Sequence, residues 1–283
     1  MVCKRREVKE MKIQNQDERL DYLVKELCKD SIEYKNIKVK NADRRMVMRS
    51  LMNIRMPKPI SEEFLKIQDE FLREEAVEKG IVNLHDIPTI REEYASKIDY
   101  ADKISIWQGD ITRLAVDGIV NAANSQMLGC FVPCHKCIDN AIHSSAGIEL
   151  RQECYEYMQE KRKIDLDYEE PTGSAVVTSA YNLPCKYVIH TVGPIVYDEL
   201  TDKLRDDLKN CYLSCLKSAV KHGIRSIAFC CISTGEFHFP NEEAAKIALR
   251  TVTDFLKTNE EYIDRIIFNV FKDYDLDIYR NLI

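Results

Sequence analysis

Three features that would assign whole classes of protein are missing from the sequence. Positive charge is not in excess, because 41 lysine and arginine residues stand against 47 aspartate and glutamate residues and give a formal net charge of −6. This balance disfavours recognition of nucleic acid through its phosphates. No run approaches the ~20 apolar residues of a membrane helix, and the N-terminal MVCKRREVKEMK has no apolar segment like that of a signal peptide. We therefore expect a cytoplasmic protein that binds neither nucleic acid nor membrane.

A disulfide framework is also not expected, although the sequence has 11 cysteines. Their number is odd and no secretion signal accompanies them, so reduced thiols are the better interpretation. Cys230 and Cys231 lie in the apolar run SIAFCCIST, and Cys211 and Cys215 are spaced for one helix face. Free cysteines at such positions behave as small apolar side chains.

The chain divides into two parts of different texture. In the first part, apolar residues recur every three or four positions in 17–28 and 41–54, and a further helix ends at Gly80. We predict a helical N-terminal extension over residues 1–93. Its segment 41–80 is either a separate lobe or a flap on the main domain. Because its helices have few apolar positions for a core of their own, we expect the segment to shape the rim of the active site.

Residues 94–283 are predicted to form one α/β domain. From about Lys103 onward, short apolar strands alternate with amphipathic helices, which is the pattern of a largely parallel sheet with helices on both faces. One long helix is predicted from about Ile138 to Lys161. Internal repeats and low-complexity tracts are absent from the sequence.

Candidate site residues are those that directly follow strands, because the binding cleft of such a sheet lies at the carboxyl ends of its strands. Asp110 follows the run KISIWQG, Asn121 and Asn124 lie in VNAAN, and Phe271 ends the last strand, RIIFNVF. Taken one at a time these are weak signals. A helix-capping aspartate is an ordinary interpretation of Asp110, and a buried core aromatic is the ordinary interpretation of Phe271.

The segment CCISTGEFHFPNEEA follows another strand and leads into the N-terminus of a helix. Successive backbone N–H groups in such a turn can bind a phosphate or diphosphate without a lysine. The glycine spacing matches neither the P-loop nor the dinucleotide-binding fingerprint, and a plain Ser/Thr turn is the alternative. A compact anionic ligand is therefore compatible with an acidic chain.

The segment LGCFVPCHKCIDNAIH places Cys130, Cys134, His135 and Cys137 within eight positions. Thiolate and imidazole are preferred ligands of zinc, and no second CxxC or HxxxH pair is present elsewhere. Adjacent Cys134 and His135 cannot readily face one ion. The pattern favours zinc held by Cys130, His135 and Cys137 with an open fourth position, as at catalytic or substrate-binding sites. A packed cysteine-rich loop and a redox pair are the alternatives.

Several segments together resemble a known family. WQGDITRLAVDGIVNAANSQMLG is similar to the opening of a macrodomain, the ADP-ribose-binding fold, and HTVGP and the STG loop fall where that fold has its later signatures. LGCFVPCHKCIDNAIHSSAG resembles the zinc-dependent macrodomains of microbes, which are associated with reversal of protein ADP-ribosylation. LMNIRMPKPISEEFLKIQDEFLREEAVEKGI is similar to their helical N-terminal extension. The resemblance covers about residues 41–283 and implies a three-layer α/β/α fold with a central mixed, largely parallel sheet.

The resemblance also implies roles for individual residues. Asp110 would contact the adenine amino group with Ile111 beside it, and Asn121 and Asn124 would line the cleft, Asn124 near the distal ribose. The implied zinc ligands are Cys130, His135 and Cys137, and the implied catalytic residues are Asn124, Asp139 and Glu236. The remaining substrate contacts would be Cys137, Ile138, Asp139, Ser233, Thr234, Gly235, Glu236, Phe237 and Phe271.

Glu236 departs from the wider macrodomain pattern, in which a small or aliphatic residue usually follows the glycine of the phosphate loop. A carboxylate beside a diphosphate is repulsive unless it points away. We expect Glu236 to face the distal ribose and the zinc instead, as a candidate base. The resemblance transfers no role to Cys134.

The expected function is removal of mono-ADP-ribose from modified protein side chains by a zinc-dependent hydrolase, with an acyl link to Asp or Glu. Zinc could bind ribose hydroxyls, polarise the leaving group or lower the pKa of a bound water, and the sequence does not choose among these. The alternatives are an ADP-ribose reader with structural zinc and an enzyme acting on O-acetyl-ADP-ribose. The expected partners are ADP-ribose and mono-ADP-ribosylated protein.

Overall fold

The short apolar runs form strands, because β-branched and aromatic side chains pack well on a pleated surface. A computed structural model gives the structure of residues 15–37 and 39–283, so the N-terminal MVCKRREVKEMK and its predicted lack of a signal peptide lie outside the described residues. The strands are β1 (Val82–Asn83), β2 (Ile104–Gln108), β3 (Leu114–Ala115), β4 (Gly118–Ala123), β5 (Val176–Ser179), β6 (Tyr187–Val192), β7 (Ser226–Phe229) and β8 (Arg265–Val270).

The main sheet has six strands in the order β2-β8-β7-β4-β6-β5. Every neighbouring pair is parallel except β5 and β6, which are antiparallel. The prediction of a mixed, largely parallel sheet is confirmed. The two short strands β1 and β3 form a separate parallel pair.

The helices are α1 (Gln16–Asp30), α2 (Arg44–Ile54), α3 (Glu62–Lys79), α4 (Ile90–Tyr94), α5 (Ile138–Ala146), α6 (Ile148–Arg162), α7 (Asp202–Lys221), α8 (Asn241–Asn259) and α9 (Asp273–Leu282). From β4 the chain crosses through α5 and α6 toward one end of the sheet, and from β6 it returns through α7 and α8 toward the other. The parallel units β6-α7-β7 and β7-α8-β8 run in one direction along the sheet, so right-handed crossovers place α7 and α8 on the same face. Helices α5 and α6 instead connect β4 to the antiparallel edge strand β5. The predicted α/β arrangement is confirmed.

The single long helix predicted from Ile138 to Lys161 is wrong in one respect, because the structure divides it into α5 and α6 at Gly147. Gly147 has φ 103°, which breaks the helix, and a Cβ there would lie 2.7 Å from Gln68 Nε2. The Gln68 side chain accepts a hydrogen bond from the backbone N–H of Ile148 at 3.1 Å. The break thus lets α3 contact the start of α6, a long-range contact that local periodicity cannot reveal.

The N-terminal helices share a small core of their own. Twelve buried residues of α1, α2 and α3 pack together, among them Leu23, Met48 and Phe64, all fully buried. Residues of 41–80 therefore share a small core with α1, and their role at the rim of the active site stays a prediction. Half-buried Ile148, at the start of α6, packs against this cluster and joins it to the larger domain.

The core of the larger domain surrounds the main sheet and extends toward the N-terminus past the predicted boundary. Ile87 and Ile90 are buried in it together with sheet residues such as Ile104 and Ile266. The division into 1–93 and 94–283 stays a prediction. Packing places residues 87–94 with the sheet. Within the described residues, no helix combines the length and the apolar character needed to cross a membrane.

Candidate active site

The candidate site residues gather along one edge of the sheet. Strands β2, β4, β7 and β8 run parallel, so the segments that follow them emerge at the same edge. These segments begin with Gly109, Asn124, Cys230 and Phe271. The topology therefore places the predicted adenine, ribose and diphosphate contacts along one edge of the sheet, where the cleft of such folds lies.

Asp110 and Phe271 lie at the predicted adenine end. Oδ1 of Asp110 accepts hydrogen bonds from the backbone N–H and hydroxyl of Thr112, at 3.0 and 2.7 Å, so the capping interpretation is correct. Its other carboxylate oxygen is left for a ligand. Phe271 is 74% exposed, which excludes the core interpretation and provides a surface on which a base can stack. Ile111 is 1% exposed and packs in the core, so only its backbone can contact adenine.

The predicted diphosphate loop, residues 231–239, bends back on itself. The backbone N–H of Phe239 donates to the carbonyl of Ser233 at 2.9 Å, and that of His238 donates to the carbonyl of Gly235 at 3.1 Å. Within the described chain, the N–H groups of Gly235, Glu236 and Phe237 have no acceptor. Gly235 and Glu236 are exposed, and Thr234 and Phe237 are half-buried. Three successive free N–H groups in one turn can receive an anion.

A close approach between two chain segments sets the position of this loop. Ser233 has φ 64° and is buried, and a Cβ on Gly193 would lie only 2.0 Å from its Oγ. Gly193 follows β6 directly. The end of β6 and the diphosphate loop can pack at this distance because residue 193 has no side chain.

Asn121, Asn124 and Asp139 form a hydrogen-bonded group beside the metal-ligand candidates. Nδ2 of Asn121 donates to Oδ1 of Asp139 at 2.8 Å. Nδ2 of Asn124 lies 3.3 Å from the carbonyl of Gly129 and 3.5 Å from Oδ2 of Asp139. Asn121 is fully buried and Asp139 is 5% exposed, so Asn124 is the member that reaches the surface. Burial raises the pKa of Asp139 to about 6, although the Asn121 bond opposes this.

Behind this group lie two buried histidines. Oδ1 of Asp139 is 3.5 Å from Nε2 of His143, but the atoms are not aligned for a hydrogen bond, and both ring nitrogens of His143 lack a partner among the described residues. His190 contacts Asn121 through Nδ1 at 3.1 Å and Thr178 through Nε2 at 3.0 Å. Burial lowers the pKa of both imidazoles. His143 is thus almost fully buried, without a hydrogen-bond partner for either ring nitrogen among the described residues.

These histidines and Cys154 are close enough to hold a metal ion. His190, however, already uses both ring nitrogens, and the guanidinium of Arg151 helps lower the pKa of His143 by its charge. Binding of a metal cation among these three residues is therefore disfavoured. We interpret the cluster as buried neutral groups, of which His190 is hydrogen-bonded and His143 is not.

The Cys/His segment does bring its three predicted ligands together. The donor atoms of Cys130, His135 and Cys137 all lie within 4.8 Å of one another, and all three residues are half-buried. Sγ of Cys130 is 3.6 Å from Nδ1 of His135. Zinc bonds of about 2.3 Å to sulfur and 2.0–2.1 Å to nitrogen at a tetrahedral angle give a separation of about 3.6 Å. The donor set and its spacing fit a zinc ion.

Cys137 also begins α5, where its thiol accepts the backbone N–H of Asn140 at 3.4 Å. Burial raises the pKa of the Cys137 thiol, and the neighbouring Cys130 adds to the effect. A bound cation would offset that penalty, because metal binding requires the thiolate. Ile138, the next residue, is half-buried.

Glu236 joins the diphosphate loop to the Cys/His segment. Its Oε1 lies 3.6 Å from Nε2 of His135, and its side chain is 69% exposed. The carboxylate therefore points toward the metal-ligand candidates, as expected for a residue that should avoid the diphosphate. His135 thus faces Cys130 through one ring nitrogen and Glu236 through the other.

Cys134 stands apart from the ligand cluster, as its neighbour relation to His135 predicts. It adopts φ 51°, its Sγ lies 3.2 Å from Oγ of Ser50, and its backbone N–H donates to Oδ1 of Asn53 at 2.9 Å. Arg49 donates to the carbonyl of His135 at 3.2 Å. Sequence reasoning missed these α2 residues; the available signal was polar Arg49 and Asn53 at helical spacing on one face.

Fold and site together define an α/β domain whose main sheet carries, at its carboxyl edge, a turn with three free N–H groups and a thiol-imidazole cluster. A macro domain family model matches residues 120–248. A protein-ADP-ribose hydrolase of Treponema medium is 46% identical over 269 residues, which cover 94% of this chain and 98% of the relative. One from Staphylococcus aureus strain MSSA476 is 40% identical over 265 residues, or 93% and 94% of the two chains. The chain belongs to the macro domain family.

Solved structures agree with this assignment. The crystal structure of a Trypanosoma brucei macrodomain in complex with ADP-ribose has a TM-score of 0.62 and 28% identity to this chain, and covers 83% of this chain and 94% of its own. An Oceanobacillus iheyensis macrodomain with ADP has a TM-score of 0.56 and 38% identity, covering 66% and 93%. The α/β fold assigned above is therefore that of the family.

Proposed function

We propose that the protein is a zinc-dependent hydrolase that removes mono-ADP-ribose from protein side chains, most simply from acyl-linked Asp or Glu. The observation that carries the proposal is the contact between Glu236 and His135 at 3.6 Å. It joins the anion-binding turn to the thiol-imidazole cluster, so that the distal ribose of a bound ADP-ribose would meet both. The Treponema and Staphylococcus relatives are named protein-ADP-ribose hydrolases, which supports the hydrolysis of protein-linked ADP-ribose.

Binding is divided among the segments at the sheet edge. Asp110 would accept a hydrogen bond from the adenine amino group, and Phe271 would stack on the base. The N–H groups of Gly235, Glu236 and Phe237 would donate to the diphosphate. Asn124 would then lie near the distal ribose, since it contacts both Gly129 at the start of the Cys/His segment and Asp139.

Zinc would be held by Cys130, His135 and Cys137 and, when bound, would supply a Lewis acid beside the distal ribose. The Glu236 carboxylate faces His135 Nε2 and so keeps His135 Nδ1 directed toward Cys130. The same carboxylate is exposed enough to accept a proton from an attacking water. Water would add its hydroxyl to the anomeric carbon, and its proton would end on the carboxylate released from the target protein.

The decisive experiment combines a hydrolysis assay with metal analysis. The protein is incubated with a mono-ADP-ribosylated acceptor, and free ADP-ribose is measured beside the zinc content of the protein. Wild type should contain about one zinc and release ADP-ribose. His135→Ala should lose or loosely hold the metal and lose turnover, because one of three protein ligands is gone. Cys134→Ser is the control, because it changes the adjacent residue, which is outside the ligand cluster, and it should keep both zinc and turnover.

The results separate the three candidate functions. Tight ADP-ribose binding without release would identify a reader with structural zinc, and release only from O-acetyl-ADP-ribose would identify the small-ester enzyme. A zinc-free His135→Ala protein with full activity, or a Cys134→Ser protein without zinc, would contradict the assignment of ligands.

A further inference from the structure

The loop that carries the metal-ligand candidates is held by residues outside it. The backbone N–H of Cys134 donates to Oδ1 of Asn53 at 2.9 Å. The carbonyl of His135 accepts from Arg49 at 3.2 Å, and the carbonyl of Val132 accepts from Asn140 at 2.9 Å. The backbone is therefore fixed at three points between the first ligand, Cys130, and the last, Cys137.

The groups that hold the loop are themselves held in place. Asn53 is 1% exposed, and its Nδ2 donates to Oγ of Ser144 at 2.9 Å. Oδ1 of Asn140 accepts from Arg49 at 2.7 Å and from Ser144 at 3.3 Å. Asn53, Ser144, Asn140 and Arg49 thus form one chain of bonds between α2 and α5. Because Asn53 is buried and bonded at both ends, it has little freedom to follow the loop if the loop moves.

The end of α2 is tied to the main domain next to the same loop. Nη1 of Arg151, a buried residue of α6, donates to the carbonyls of Met52, Asn53 and Arg55 at 2.9, 2.7 and 2.8 Å. Carbonyls at a helix C-terminus have no partner within the helix, so a nearby cation such as Arg151 is favourable there. The same guanidinium lies 4.4 Å from the ring centroid of Phe131, which follows Cys130. Arg151 therefore connects the end of α2 to the Cys130–Cys137 loop at a second place.

We propose that Asn53 and Arg49 are positioning residues for the metal site, and that the N-terminal helical unit holds the Cys130–Cys137 loop in its zinc-binding shape. This inference rests on the proposed zinc site. In this arrangement Cys134 helps to hold the loop and does not bind the metal. Its backbone N–H attaches the loop to Asn53 of α2, and its left-handed backbone, φ 51°, turns the chain so that Cys134 faces the helix while His135 faces Cys130.

Zinc affinity tests the proposal directly. In Asn53→Ala the Cys134 N–H loses its acceptor, and competition with a chromophoric chelator should show zinc bound about 10–100-fold more weakly, the usual effect of removing a group that orients metal ligands. Arg49→Met removes the bond to the His135 carbonyl at a half-buried position and should act in the same direction. It serves as the second variant if Asn53→Ala folds poorly. The absorption spectrum of the Co²⁺-substituted proteins should change, since the ligands shift relative to one another.

Ser61→Ala is the matched control. Ser61 caps α3 by accepting the N–H of Phe64 at 3.2 Å, so its loss weakens the same three-helix unit without touching the loop. It should lower the melting temperature and leave zinc affinity and the Co²⁺ spectrum unchanged. ADP, which lacks the distal ribose, should bind all variants as it binds wild type.

The possible results distinguish the positioning role from the proposed function. If Asn53→Ala and Arg49→Met bind zinc as tightly as Ser61→Ala, the positioning role is wrong while the proposed function stands. If wild type binds no zinc, both fail. A fall in zinc affinity in both loop-contacting variants, with ADP affinity unchanged, supports the inference.

Discussion

Gly193→Ala should weaken ADP-ribose binding although residue 193 need not touch the ligand. The added Cβ would lie 2.0 Å from Oγ of Ser233 and 3.1 Å from Cγ2 of Ile232. Non-bonded atoms of this kind need about 3.5 Å, so one partner must move by more than ~1 Å. Ser233 is buried, which leaves its hydroxyl little space to rotate. We expect the diphosphate loop to shift instead.

The magnitude follows from what that shift disrupts. The N–H groups of Gly235, Glu236 and Phe237 lie two to four residues beyond Ser233 and have to point at one diphosphate. Misplacing one of them removes a hydrogen bond to a charged group, which is worth about 1.5–3 kcal/mol. The dissociation constant for ADP-ribose should therefore rise by about 10–100-fold.

Isothermal titration calorimetry with ADP-ribose measures this effect. The double variant Gly193→Ala with Ser233→Gly should recover most of the affinity, because glycine removes the hydroxyl and adopts φ 64° without strain. Gly223→Ala is the control. Gly223 has φ 67° and open space around it, so alanine should lower stability there by about 1–2 kcal/mol and leave affinity unchanged. Unchanged affinity in Gly193→Ala, or no recovery in the double variant, would refute the reasoning.

Three further predictions concern single groups. Asp110→Ala should weaken ADP-ribose binding by about 1.5–3 kcal/mol in calorimetry, whereas Asp110→Asn, which keeps the cap on Thr112, should lose less; unchanged affinity in Asp110→Ala would contradict adenine recognition by this carboxylate. Glu236→Gln should reduce hydrolysis while ADP-ribose binding holds or tightens, and weaker binding with unchanged turnover would exclude its role. Burial lowers the pKa of His190 from 6.5 to about 3, so stability present above pH 6.5 should fall by up to about 1.4 kcal/mol per pH unit as pH drops toward 3. Thermal melts of wild type should decline more steeply than those of His190→Asn, and parallel curves would disagree.

Much of the fold followed from local pattern. Alternating strands and helices after Lys103 predicted a largely parallel sheet, and its parallel strands brought Asp110, Asn124 and Phe271 to one edge as expected. The spacing of Cys130, His135 and Cys137 predicted a cluster that the structure contains. These features depend on neighbours in sequence or on a rule of sheet topology, and both are visible in one chain.

What could not be predicted depends on contacts between distant residues. Asn53 lies 81 positions from Cys134 and bonds to its backbone, and Arg151 lies 98 positions from Asn53, whose carbonyl it caps. Gly147, with φ 103°, divides a helix at the place where Gln68, 79 positions away, packs against it. In sequence each of these is an ordinary polar residue or glycine on a helix, and its partner is set only by packing.

The diphosphate loop raises the question of how an acidic chain binds an anion. From Ser233 to Phe237 the only charged residue is Glu236, which is negative, so attraction has to come from backbone N–H groups held in one turn. Such groups act through their positions, which explains why a distant methyl group at residue 193 should matter. Glu236 would oppose this binding if its carboxylate faced the diphosphate. The contact with His135 at 3.6 Å directs that charge to the thiol-imidazole cluster, where a cation would balance it. One orientation of one side chain therefore serves both binding and the proposed hydrolysis.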